Sequence, residues 1–152
     1  MTYSAHAAAT KAGIKYYFVT FSIHLALVYI FVVKWLVPTY HLPGVFSLLM
    51  LLAVIGEFIA LLVPTTGGRM TLIHDISSYF MFVLLAPLSL MIAASPNFST
   101  IVRTVSVLAA VYMFCIWPIF LFNKESKRQA LILQTFYGGS FHLVLLLAVI
   151  TK

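Results

Sequence analysis

The chain has 152 residues, 63% hydrophobic and only 8% charged, with a mean hydropathy of +1.10. A soluble domain carries about 25% charged residues, so no soluble core of this length hides so much apolar surface, and the chain reads as a single all-α integral membrane domain. Nine Lys and Arg against three acids give a net charge of +6. These bases flank the apolar runs, which fits membrane topology and contact with anionic lipid head groups and argues against a nucleic-acid partner.

The first 13 residues are polar and Ala-rich, with Lys11 and Lys15 ahead of the first apolar run. That run is too long for a signal-peptide core and no small-residue cleavage site follows it, so it is expected to stay as a helix. Five apolar segments follow in order, at 16–36, 45–63, 71–94, 101–122 and 130–150. Each is near the roughly 20 residues that cross a ~30 Å hydrocarbon core, and lipid leaves such segments little choice but to be helical. Pro38 and Pro43, then Pro64 with Gly67 and Gly68, then Pro96 with Asn97, then residues 123–128 separate them. The short connections predict antiparallel neighbours in a five-helix bundle. Pro87 and Pro118 are expected to kink the third and fourth helices.

The basic residues fix an expected orientation. Six of them (Lys11, Lys15, Arg69, Lys124, Lys127 and Arg128) fall on one side, and Lys34, Arg103 and Lys152 on the other. The positive-inside rule then places the N-terminus in the cytoplasm, as in a bacterial inner-membrane protein. Tyr16, Tyr17, Trp35, Tyr40 and Trp117 lie near segment ends, where an aromatic belt is expected. The single cysteine, Cys115, excludes an intrachain disulfide and dithiol chemistry and reads as a small packing residue.

Polar residues inside the apolar segments are the candidates for function, because they are costly at membrane depth. Glu57 lies within the second segment, with Ala53, Gly56 and Ala60 at helical spacing around it, so a neighbouring helix can come close. Arg69, His74 and Asp75 gather at the start of the third. Thr71, Asp75 and Ser78 share one face there, with His74 and Ser77 alongside. Antiparallel pairing of the second and third segments brings Glu57 toward Arg69, His74 and Asp75 on the cytoplasmic side. The expected site is thus a polar pocket of Glu57, Arg69, His74, Asp75 and Gln134 that binds or transports a small anion or a lipid head group. A second form of it uses the Gly67-Gly68 turn and the helix start with Arg69 to hold a phosphate. The competing reading of the same residues is helix capping and interhelical hydrogen bonding, as in a structural subunit of a membrane complex.

The fifth segment carries Gln134, Gly138 and His142 on one face, a pattern that usually means close helix packing. His24 in the first segment and His142 raise an alternative, axial ligation of haem b, which needs two histidines at one depth on facing helices. Counted from the segment starts at 1.5 Å per residue, they lie roughly 12 and 18 Å deep, a difference that helix tilt can absorb. No two of His24, His74 and His142 share a helix, and no HExxH or Cys cluster occurs, so no metal site is expected and no cofactor beyond the haem alternative. No P-loop, dinucleotide fingerprint or nucleophile elbow is present, which points away from an enzyme. Membrane lipids and further copies or subunits of a membrane complex are the expected partners.

The run Val63-Pro64-Thr65, a Gly-containing loop, His74 and then Ala86-Pro87-Leu88 resembles the helix 2 to helix 3 junction of domain-of-unknown-function family 998. The family comprises small polytopic membrane proteins of bacteria and archaea. The opening of the last segment, Gln134-Thr135-Phe136-Tyr137, is compatible with it. Val63 stands where the family has an aromatic, and Thr66 where an acid is common. The resemblance implies that His74 is the family-type histidine and implies no activity.

Overall fold

A computed structural model describes residues 11–63, 68–122 and 126–152, with the side chains of all but 11, 12, 14 and 117–131. The described residues form five helices and no strand. The first, α1, runs Lys11–Phe31, passes through a π-helical stretch Val32–Leu36 and closes with an α turn Val37–Tyr40. It is followed by α2 (Gly44–Leu62), α3 (Gly68–Ala94), α4 (Thr100–Phe122) and α5 (Ser126–Ile150). The chain is therefore an all-α polytopic membrane protein. Four helices, α1, α2, α3 and α5, are long and apolar enough to cross a membrane, and α4 is apolar over Thr100–Ile116.

Helix ends differ from the sequence expectation most at α1, which was expected to stop near residue 36 ahead of Pro38. The π stretch explains why it does not. A proline ring clashes with the carbonyl four residues back, and here that turn is widened, with the Val37 N–H donating to the Val32 carbonyl five residues away. Termination falls instead at His41, a non-glycine residue in the left-handed region at φ 51, followed by Pro43. At the other end of the chain, α5 is already helical at Ser126, four residues before the apolar run, because a membrane helix can extend into a polar turn where water satisfies its free N–H groups. Pro87 lies inside α3 without ending it.

Helices adjacent in sequence pack against each other, and α3 is central, touching α2, α4 and, more lightly, α5. Around α2 and α3 the packing follows the small residues. Ala53, Gly56 and Ala60 of α2 are all buried. A Cβ added to Gly56 would sit 3.0 Å from the Ser77 carbonyl oxygen and 3.4 Å from the Met81 nitrogen of α3. Only a hydrogen fits at that approach.

The end of the bundle near Tyr40 is closed by side chains donating to backbone carbonyls. The Tyr40 hydroxyl donates to Ala148 and its ring stacks on Phe98 with centroids 3.8 Å apart. Asn97 Nδ2 donates to the Tyr40 carbonyl at 2.7 Å, and Arg103 Nε to the Ala93 carbonyl at 3.0 Å. Tyr40 is thus a buried tie rather than a member of an interfacial belt. Cys115, expected to pack inside, is exposed on α4. Trp117 and Pro118 lie outside the described side chains.

The Gly56 approach gives a direct check. Gly56→Ala should lower stability by about 1–3 kcal/mol, the usual cost of overpacking. Gly44→Ala, where nothing lies within 4 Å of the added carbon, should be close to neutral. Thermal unfolding midpoints in detergent compare the two.

Candidate functional site

The site is built from one polar or aromatic face on each of four helices. Together they line a cavity of about 260 Å³ between α1, α2, α3 and α5. Tyr17, Phe21 and His24 come from α1, Glu57 from α2, His74 and Ser78 from α3, and Gln134 and His142 from α5. All the lining residues of α1, α3 and α5 lie in or near the N-terminal halves of those helices. Those of α2 lie from its middle to its end, so the cavity occupies one half of the bundle.

His74 is placed by a defect in α2. In a helix the Ala60 carbonyl would accept from the N–H of residue 64, but residue 64 is proline and has none. His74 Nδ1 supplies the missing donor, lying 2.8 Å from the Ala60 oxygen and 2.9 Å from that of Val63, the residue capping α2. Carbonyls only accept, so Nδ1 carries the proton. Glu57, one turn before Ala60, lines the same wall and interacts electrostatically with His74.

A second pair meets at the edge of the cavity between α1 and α5. His24 Nε2 and His142 Nε2 are 2.9 Å apart, with the rings stacked at 4.9 Å between centroids and 28° between planes. His142 Nδ1 lies 2.7 Å from the Gly138 carbonyl and must donate to it. Neutral His142 therefore presents a bare lone pair at Nε2, and His24 Nε2–H donates to it. The structure brings the two rings together across the depth difference of roughly 6 Å counted from the apolar runs. Tilt and side-chain reach take it up.

Both histidines are exposed while lining the cavity. They stand among exposed Ile23 and Leu27 of α1 and Leu143 and Leu146 of α5. The cavity therefore reaches an apolar, lipid-type surface between these helices. Gly138 and Gly139 do not serve close packing, as their pattern suggested. Nothing lies within 4 Å of a Cβ built on either, and both line the cavity.

Of the expected pocket, the structure unites Glu57, His74 and Gln134 and adds His24 and His142. Arg69 and Asp75 are exposed and do not line the cavity. The polar stripe of α3 splits accordingly: His74 and Ser78 face the cavity, Ser77 is buried beside Gly56, and Asp75 points away. Residues 64–67, with most of the glycine turn considered for phosphate, lie outside the described residues. Sequence reasoning missed Met50 and Met81 in the cavity wall. It also missed Tyr137, whose buried hydroxyl donates to the Phe82 carbonyl. The one signal available for the His74 bond was Pro64, four residues beyond Ala60.

Against family models, curated proteins and solved structures, the chain finds no match.

The orphaned carbonyl makes the His74 bond testable. His74→Ala should cost about 1–3 kcal/mol, the penalty for an unsatisfied buried acceptor. Pro64→Ala returns a backbone N–H at position 64 and should offset part of that loss in the double variant. A double-mutant cycle on thermal midpoints that comes out strictly additive would contradict the assignment.

Proposed function

We propose that this chain is a binding protein of the transport type, embedded in a bacterial inner membrane, whose cavity receives the polar head of a membrane lipid. The observation that carries the reading is the single cavity in which Glu57, His74 and Gln134 converge from three helices. Lone polar groups in lipid tend to pair with each other to escape it. Here they also face shared open space.

A lipid head group fits better than a free anion. Arg69 lies outside the lining, and Glu57 stands in the wall, so an anion alone would meet a carboxylate. A zwitterionic head group places its ammonium toward Glu57 and the His74 Nε2 lone pair, and its phosphate toward the Gln134 amide. The volume, about 260 Å³, sits just below the roughly 300–1,000 Å³ of pockets that enclose whole drug-sized ligands. It suits a head group whose tails stay in the bilayer. The opening between α1 and α5 supports entry from the membrane plane. In this reading the end bearing Lys15 and Arg69 faces the cytoplasm, as the distribution of basic residues suggests.

Native mass spectrometry of the full chain in detergent, with phosphatidylethanolamine or phosphatidylglycerol added, tests the reading. Retention of phosphatidylethanolamine should exceed that of phosphatidylglycerol. Glu57→Gln should weaken it about tenfold or more, as expected for loss of a charge-assisted hydrogen bond. Arg69→Ala should leave it unchanged. Equal retention by all three proteins would instead leave these polar groups as helix ties of a structural subunit.

A further inference from the structure

We propose that His24 and His142 form a binding site for a soft monovalent metal ion, cuprous copper, at the opening between α1 and α5. This goes beyond the head-group reading and does not rest on it, since it uses neither Glu57 nor His74 as a ligand.

The geometry of the pair is the first reason. Two imidazoles from helices that hardly touch elsewhere meet Nε2 to Nε2 at 2.9 Å. Metal–imidazole bonds are about 2.0–2.1 Å, so an ion between the two nitrogens needs them about 4 Å apart. Opening the pair by about 1 Å is a side-chain rotation, and the empty space over Gly138 and Gly139 leaves room for it. One ligand is already oriented. The bond from His142 Nδ1 to the Gly138 carbonyl is the kind of outer contact that fixes the tautomer of a metal-binding histidine and aims its Nε2 lone pair. His24 becomes the second ligand when its proton moves from Nε2 to Nδ1. The ring stays neutral, and binding releases no proton.

The donor set selects the ion. Among the described residues no group of three or more His, Cys, Asp and Glu side chains is placed to hold a metal. A closed tetrahedral zinc site or an oxygen-rich site is therefore not on offer. Beyond the imidazoles, the cavity presents the thioethers of Met50 and Met81 from α2 and α3. Two neutral imidazoles, with thioethers rather than thiolates as the further soft donors of the cavity, suit Cu(I). The surroundings act the same way. The cost of moving an ion from water into a low-dielectric region rises with the square of its charge, so a monovalent ion is far cheaper to place there than a divalent one. Haem is the rival occupant of the pair. It needs the two nitrogens on opposite faces of a wide ring, whereas here the imidazoles touch directly.

Anaerobic titration of the detergent-solubilised full chain with Cu(I), against the chromophoric chelator bicinchoninate, tests the proposal. The expected result is one Cu(I) withheld from the chelator per chain. His24→Gln and His142→Gln, which keep hydrogen-bonding side chains, should each weaken binding at least 30-fold. Met50→Leu and Met81→Leu should weaken it several-fold, and Glu57→Gln should change it little. Copper-edge X-ray absorption of the wild-type complex should show nitrogen ligands near 2 Å, a readout that does not depend on any variant folding. Loss of all Cu(I) to the chelator, tighter binding of Zn(II) than of Cu(I), or undiminished binding in both Gln variants would overturn the proposal. So would a Soret band after haem-supplemented expression that disappears in those variants, which would assign the pair to haem.

Discussion

Inside a bilayer a backbone carbonyl without a donor has no water to turn to, and each one left bare costs several kcal/mol. Prolines and helix ends create such carbonyls, and in this protein side chains from neighbouring helices answer them. His74 serves Ala60, which Pro64 leaves without a helical donor. Tyr40 reaches the Ala148 carbonyl in the last turn of α5, and Arg103 that of Ala93 near the end of α3. Apolar packing between helices has little hydrophobic drive in lipid, so these directed bonds set how the helices sit against each other.

The cavity follows from the same rule. His74 is held to α2 by its bond to Ala60, and the hydrogen-only approach at Gly56 holds α2 close to α3. That leaves Glu57, on the next position of α2, turned toward the space between α3, α1 and α5. On α5, two glycines withhold the side chains that would have filled this space. His24 and His142 then bridge the gap at its membrane-facing edge. One half of the bundle is tied shut near Tyr40, and the other half is held open around polar groups.

Much of this was legible in the sequence. Apolar run lengths marked all five helices, because membrane thickness sets a narrow range of lengths. The small residues around Glu57 marked a close helix contact at Gly56. Other features depend on information that local pattern does not carry. Pro38 looked like a helix stop, but a π turn absorbed its ring, and the choice between the two depends on how the end of α1 packs. Asp75 lies beside His74 in sequence yet on another face, since a 100° step per residue turns neighbours apart. Gly138 and Gly139 have the small-residue pattern of a helix contact, and only the position of α1 shows that they face a void. The meeting of His24 and His142 depends on helix tilt, which residue counting cannot supply.

The account rests on defined proton positions within the polar network, and nitrogen-15 NMR of histidine-labelled, metal-free protein in lipid bilayers reads these directly. His74 and His142 should both be protonated at Nδ1, and a coupling through the hydrogen bond should link the Nε2 atoms of His24 and His142. Nε2-protonated His142 with no coupling to His24, together with a His74 that lacks its Nδ1 proton, would contradict the account.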